Sequence, residues 1–458
     1  MAGGVILGDW THRRGDAGGS RALAAEVAGA KPRIAWTWTP PHGGRVDQVR
    51  VLGELVFVAT LEPEGALAKV APGWEHAVIY ALDAARGVVV AQCTLADPVP
   101  VAAMVLEGAT LHLVATRPGE PVFWYALRVP DLVPLHRRLV EVEGDGRQAD
   151  VLDAWASPDG GLWLEIESAP GPSQGSLRSF TFLPSAPGAV PTSVGADREP
   201  RPSSPEALAQ PRDACAAGRT LFVPSHGADQ APSLSRLEPD GEAADPWARA
   251  EVQGGGSTLH PIAAEGVVSA LALGQVEGSD RTQVQSLFLD TATGVVRHTS
   301  RVEEVDLRDH HHRARESARP PAAGGAADDA GDELVTTRVA RRRNGELILQ
   351  RCGPGSSCSD IVCALPDGAI TSFTVGAGRS YALDLVLGDA IVAHRPPKDG
   401  RVIVGAFAVA EDGGWLGRRT TSLWSLELPC AGSACTVYAG AGHVIVRSRE
   451  SLSAIRVG

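Results

Sequence analysis

A unit of two apolar strands recurs eight times along this chain, and nothing else in the sequence constrains the fold as tightly. Each unit opens on a turn containing Gly or Asp, runs into an apolar strand, passes through a loop and continues as a second apolar strand. The first strands read at residues 54–60 (ELVFVAT), 109–116, 161–168, 219–225, 266–274, 345–351, 389–395 and 442–448. Their starts are 55, 52, 58, 47, 79, 44 and 53 residues apart. Apart from the interval of 79, the spacing is nearly constant and long enough for a four-stranded sheet. Partner strands follow at 77–82, 121–128, 175–183, 233–237, 283–289, 360–365, 401–409 and 451–457.

Several partner strands run straight into one kind of turn: Asp83 to Gly87, Asp290 to Gly294, Glu238 to Gly241 and Pro366 to Gly368. There an acidic side chain can accept backbone N–H groups, and Gly supplies the positive φ that closes the hairpin. Many of the strands, such as 267–273, are apolar on both faces. A strand in a one-sided sheet alternates, whereas a strand sandwiched between neighbouring sheets need not. Helical periodicity is confined to a turn or two near residues 21–28. Length alone would suggest two or three domains, but a closed repeat ring absorbs a whole chain. The expected fold is therefore all-β: a single β-propeller of about eight four-stranded blades, seven or eight being the open choice. Residues 451–457 end the last unit one strand short, and residues 33–39 (RIAWTWT) precede the first unit without a blade of their own. The N-terminal strand is expected to complete the last blade and leave no open edge there.

Residues 1–32 read as an N-terminal lead-in and 33–458 as the propeller, with two interruptions. Residues 185–212, rich in Pro, Ser and Ala, read as a long loop. Residues 303–332 account for the interval of 79 and are low in complexity, which predicts disorder.

With Gly 52 and Pro 33, composition favours turns and short strands over long helices. The net charge is −12 and no basic stripe with interleaved aromatics occurs, which argues against nucleic acid as a partner. Arg341, Arg342 and Arg343 form a short run that reads as a solvated edge. No apolar segment is long enough for a membrane span, and Val5 to Leu7 is too short for the core of a signal peptide. With Met1 as the native start the protein is expected in the cytoplasm. With its cysteine pairs bonded and a leader lost it is expected outside.

Seven cysteines leave three readings open. Cys352 with Cys358, and Cys430 with Cys435, flank short turn-like spacers that fit local disulfides. All seven could equally be reduced thiols. A metal site at Cys352, Cys358 and Cys363 is the third reading, against which stand the wide spacing and the lack of a nearby His. His310, His311 and His312 are adjacent, so their side chains diverge and do not form a closed metal site. HExxH and GxxxxGK[ST] are both absent. Trp36, Trp38, Trp124, Trp163 and Trp424 fall on predicted strands and are expected in the core. Trp10, Trp74, Trp247 and Trp415 are the candidates for a partner-contact surface.

Gly8-Asp9-Trp10 through Asp16, followed by Pro32 to Trp36, resembles the lead-in of PQQ-like (quinoprotein-type) propeller repeat proteins. Tyr80 to Gly87 (YALDAARG) and Leu287 to Gly294 (LFLDTATG) are similar to that family's strand-and-turn signature. The likeness spans nearly the whole chain but is carried by these three places. In the family, a Trp four residues after the signature Gly docks neighbouring blades; here those positions are Ala91 and His298. Its quinone-dependent dehydrogenases also bind calcium through a Glu, an Asn and an Asp, and carry adjacent cysteines against the quinone. The only Asn of this chain is Asn344, in an Asn-Gly pair that reads as a turn, and no Cys-Cys occurs. The resemblance therefore implies a non-catalytic member, with neither PQQ nor calcium, that binds another protein.

The leading expectation is a monomeric ring acting as an interaction or assembly platform, with no catalytic, cofactor-binding or metal residues. The alternative is a divergent propeller enzyme, a hydrolase, lyase or oxidoreductase, using the central channel or one loop face. Converging acids, His or Arg in an open funnel would mark the second.

Overall fold

The computed structural model describes all residues except 1–5, 8, 14, 17–20, 26–30, 64–74, 118–119, 141–148, 169–176, 187–190, 197–213, 227–230, 240–247, 253–256, 265, 277–280, 294, 306–335, 343–344, 353–357, 359–360, 366–368, 376–380, 410–419, 431–434 and 458. Among the described residues there is no helix, and the strands assort into eight sheets. Blade 1 comprises Arg45–Leu52, Leu55–Pro63, Glu75–Asp83 and Val89–Thr94, each antiparallel to the one before. Blades 2 to 7 repeat that order from the first strands Val101–Glu107, Ala149–Ala156, Cys215–Ala217, Thr258–Ala264, Thr336–Arg341 and Ala382–Leu387. The eight strand pairs read from the sequence are the second and third strands of the eight blades.

Blade 8 is assembled from the two ends of the chain. Thr436–Gly440, His443–Arg447 and Leu452–Val457 supply three strands, and Pro32–Trp38 pairs antiparallel with the last of them as the fourth. Closure of the ring is thus a hydrogen-bonded seam, which removes the edge a missing strand would leave.

First strands of neighbouring blades pack on one another around the axis, so they form the hub. Fourth strands are the rim: Val89–Thr94 and Val133–Val140 are mostly exposed. Between them, apolar side chains from adjacent blades interdigitate. One cluster joins Phe57, Ile79 and Ala81 of blade 1 to Met104, Leu111 and Leu113 of blade 2. Burial on both sides is why these strands are apolar at successive positions.

Tryptophan fixes several of these seams. Trp36 donates its indole N–H to the carbonyl of Ala84 at 2.7 Å, inside the Asp83 to Gly87 turn of blade 1. Asp83 builds that turn by accepting the N–H groups of Ala85 and Arg86 at 3.1 and 2.9 Å. Gly87 is required twice over: its φ is +68°, and a Cβ there would lie 2.5 Å from the Trp36 ring. Trp163 of blade 3 donates to the Arg219 carbonyl, in the first turn of blade 4, at 2.9 Å. Trp38, Trp124 and Trp424 are likewise buried.

The first strands of blades 1, 2, 3 and 7 each carry a bulge, at Asp47, Ala102, Leu152 and Asp384. A bulge leaves a backbone carbonyl without its ladder partner. Here a side chain from outside the blade supplies the donor. Arg447 of blade 8 bonds the Asp47 carbonyl. Gln48 of blade 1 bonds that of Ala102 at 3.0 Å, Arg13 that of Leu152 at 3.3 Å, and Arg338 of blade 6 that of Leu383 at 2.8 Å.

Four sequence readings are refined. The loop read at 185–212 contains the outer strand of blade 3, Thr192–Ala196, because its pairing with Leu177–Leu183 completes the sheet. The low-complexity stretch begins with a short strand, Glu303–Val305, laid along Thr282–Asp290. Its remainder, with His310, His311 and His312, lies outside the described residues. Several residues of the lead-in pair with first strands of the hub. Finally, Arg342 is not solvated. It is buried in the turn of blade 6, where it pairs with the buried Glu346 at 2.6 Å and donates to the Asp389 carbonyl of blade 7 at 3.3 Å.

Candidate functional site

Ligands of closed propellers gather either at the axis or on the loops and rim, and the two places differ sharply here. The inner edge of a first strand can face only the axis, and the lead-in occupies several such edges. Trp10 exchanges two backbone hydrogen bonds with Val51 of blade 1, at 2.9 and 2.8 Å. Thr11 accepts the N–H of Leu106 in blade 2 at 3.0 Å. Arg13 reaches blade 3, at the Leu152 carbonyl and the Asp153 carboxylate. Ala22–Ala25 then runs parallel to Ala382–Leu387 of blade 7, and Ile6–Leu7 pairs with it. The Trp10 ring packs edge-on against Tyr438 of blade 8, 6.1 Å between centroids. Residues 6–25 thereby cross the hub and touch five consecutive blades, from 7 through 3.

The groups enclosed by this crossing are polar and basic. Arg50 is 2% exposed, and burial lowers its pKa to about 10. His12 is pushed down to about 3 by burial and by the charges of Arg50 and His112. His112 is pushed down to about 4 by burial and by His136. At physiological pH both imidazoles are neutral. On blade 1, Thr60 and Tyr80 both donate to Oε1 of the buried Glu62 at 2.8 Å.

Near the seam of blades 6, 7 and 8 lies a second buried network. Asp384 takes Arg338 on one oxygen at 2.8 Å and His394 on the other at 2.7 Å. Cys435 stands close enough to feel both Asp384 and Arg338. Its thiol is hydrogen-bonded to that of Cys430, which holds Cys430 below the ordinary thiol value and pushes Cys435 above it. The two are free thiols, whereas Cys352 and Cys358 are bonded to each other and pack on Ala382. Cys363 is a buried free thiol, and no group of three or more His, Cys, Asp or Glu among the described residues could hold a metal ion.

At the rim the chemistry inverts. The outer strands of three consecutive blades expose Ile34 (blade 8), Val89 and Val90 (blade 1, next to exposed Val88), and Val133, Leu135 and Leu139 (blade 2). Across the ring, blade 5 exposes only Val295 and Val296 at its rim. Ala91 and His298, where the resemblance implies a docking Trp, lie on these outer strands opposite Ala81 and Phe288. The docking indole of blade 1 comes instead from Trp36 of the neighbouring blade.

Of the tryptophans read as partner contacts, Trp10 is 2% exposed and belongs to the hub, because its backbone pairing with Val51 turns the ring into the core. Trp74, Trp247 and Trp415 lie outside the described residues. Arg50 and His12 were not singled out by their residue types. A signal was present in RVDQVRVL, where Arg50 sits between two valines of a strand that the repeat buries on both sides.

No family model matches the chain, and no curated protein matches it. Solved structures share its fold at low identity. BamB from Moraxella catarrhalis is 14% identical, with 93% of this chain and 98% of that one covered and a TM-score of 0.51. A europium-containing methanol dehydrogenase is 11% identical, with 98% of each chain covered and a TM-score of 0.52. Quinohemoprotein alcohol dehydrogenase from Comamonas testosteroni is 12% identical, covering 98% and 80%, with a TM-score of 0.50. What the chain shares with all three is the eight-bladed propeller fold.

Proposed function

We propose that this chain is a non-catalytic propeller that acts as a docking platform for another protein, engaged along the outer strands of blades 8, 1 and 2. The observation that carries this reading is the run of exposed apolar side chains on three successive rim strands, Ile34, Val89, Val90, Leu135 and Leu139 among them. Outer strands also present unpaired backbone groups along one edge, so apolar and hydrogen-bonding complementarity to a protein segment coincide. The pairing of the lead-in with inner edges of first strands in blades 1, 2 and 7 supports the same reading, since those edges face the axis. No helix among the described residues is long and apolar enough to cross a membrane. A monomeric ring fits the closed seam of blade 8.

The residues present do not fit PQQ with calcium. The chain's only Asn, Asn344, falls in an Asn-Gly pair of the sequence, no Cys-Cys occurs, and the lead-in lies along the inner edges of several first strands. Fold alone does not choose among activities, because the same architecture serves a BamB and two dehydrogenases.

The test is purification of the tagged chain from its native host with mass spectrometry of what accompanies it, repeated with a Val90→Glu/Leu135→Glu/Leu139→Glu variant. A stoichiometric protein should accompany the native chain and fall at least about tenfold in the variant, as loss of central apolar anchors does. Val296→Glu on blade 5 should leave it unchanged. Retention of the partner by the triple variant, or a partner-free chain carrying a tightly held small molecule, would overturn the reading.

A further inference from the structure

The hub contains a buried positive charge with no carboxylate in hydrogen-bonding contact. Arg50 donates through Nη1 to the carbonyl of its own neighbour, Val49, at 2.6 Å, and its Nε has no partner. The carboxylate whose charge reaches it is Asp153, and that group is engaged elsewhere, accepting the N–H of Ala154 at 2.9 Å and pairing with Arg13 at 3.8 Å. The other charged or titratable groups that reach Arg50 are Tyr438, Arg13 and Arg447, which adds two more cations. A guanidinium enclosed in this way is among the most destabilising arrangements a fold can hold unless an anion accompanies it.

Two buried imidazoles of the hub have the same polarity of need. His112 accepts the indole N–H of Trp124 on Nδ1 at 3.2 Å, and an indole can only donate. The proton of neutral His112 is therefore on Nε2, which is buried and has no acceptor. His12 contacts the Thr11 hydroxyl through Nδ1 at 2.9 Å, and its Nε2 is likewise buried without a partner. His12 lies within electrostatic reach of both Arg50 and His112. All three side chains are at most 3% exposed. Arg50 Nε and His112 Nε2 are thus donors without an acceptor, and His12 Nε2 is a third when the Thr11 hydroxyl donates to Nδ1. Together they ask for an acceptor that brings no protons of its own, which water is not. They also ask for a negative charge.

We propose that Arg50, with Nε2 of His12 and of His112, forms a buried binding site for a small inorganic anion of halide type, enclosed where residues 10–13 cross from blade 1 to blade 3. Bound there, the ion neutralises Arg50 and ties the lead-in to blades 1 and 2, so it acts as a structural ligand of the hub. The site is independent of whatever the rim binds.

The probes are chloride and bromide. The chain is prepared in sodium gluconate, and its melting temperature is followed as chloride replaces gluconate at constant ionic strength. A saturable rise is expected, and bromide should reproduce it. Crystals grown in bromide should show an anomalous peak within hydrogen-bonding distance of Arg50 Nε. Arg50→Met should abolish the halide dependence. If that variant does not fold, His12→Phe should weaken the halide midpoint by about tenfold or more, as loss of a charge-assisted donor predicts. Equal melting in gluconate and halide would overturn the proposal. So would a bromide crystal in which only water, or a carboxylate of the chain itself, meets Arg50.

Discussion

Blades 7, 8, 1, 2 and 3 form one arc of the ring, and blades 4, 5 and 6 form the other. Among the described residues the lead-in pairs only with the first arc. The bulges of the first strands are there too, in blades 1, 2, 3 and 7, whereas the first strands of blades 4, 5 and 6 pair in unbroken register. So is the closing seam, and so is most of the exposed apolar rim. The difference teaches how one repeat can be put to two uses. The plain arc is held mainly by blade-on-blade packing, with Arg236 of blade 4 reaching the Ala292 carbonyl of blade 5 at 3.5 Å. The crossed arc has traded ladder bonds for bulges that only an outside side chain satisfies, which makes it dependent on Arg13, Gln48, Arg338 and Arg447.

The harshest way to break the comparison is to remove the anchor of the crossing. Trp10→Ala deletes a ring that is 2% exposed and packed against Tyr438. A buried Trp→Ala change costs about 3–5 kcal/mol in urea unfolding. Val295→Ala on the exposed rim of blade 5 should stay within about 0.5 kcal/mol. Similar losses at the two positions would show that the crossing contributes no more than a surface contact.

A gentler comparison uses two glycines with similar backbone and different surroundings. Gly87 in blade 1 has φ +68° and the Trp36 ring 2.5 Å from any Cβ, whereas Gly218 in blade 4 has φ +62° and nothing within 4 Å. Alanine at Gly218 meets only the backbone penalty, about 1 kcal/mol. At Gly87 the same penalty is joined by displacement of the docked indole, for about 2–4 kcal/mol together. The fluorescence of Trp36 should shift in Gly87→Ala and not in Gly218→Ala.

Much of the scaffold was legible in the sequence because a repeat multiplies weak signals. Eight apolar pairs at near-constant spacing specify blades even though any one pair is ambiguous, and a missing strand at one end with a spare at the other specifies the seam. Irregular, once-only features were not legible. Thr192–Ala196 is hidden in a stretch of Pro, Ser and Ala because only pairing with blade 3 makes it a strand. Arg342 read as solvated because its buried partner, Glu346, lies across a turn. Trp10 read as a free aromatic because the strand that covers it, Arg45–Leu52, belongs to a different unit. The functional candidates at the hub depend on tertiary placement of a segment with no repeat to support it.

The smallest expected effect is a pH dependence that separates the arcs through their imidazoles. His12 and His112, both in the crossed arc, have folded pKa values of about 3 and about 4, below the ordinary value of 6.5. Burial is the first cause in each, joined by Arg50 and His112 for His12 and by His136 for His112. A His whose pKa is depressed on folding takes up its proton more readily when unfolded, so acid favours unfolding. Above pH 6.5 the two residues should therefore contribute no pH dependence. Below it, in halide-free buffer, stability should fall progressively towards pH 4, by about 1 kcal/mol per imidazole at pH 5.5. His12→Gln should remove its share of that loss and leave the neutral-pH stability nearly unchanged. Halide should also blunt the loss in the native chain, since an anion beside an imidazolium offsets its burial. A stability curve flat from pH 7 to 5 in gluconate would mean that both rings reach solvent and that the hub is open where residues 10–13 cross it.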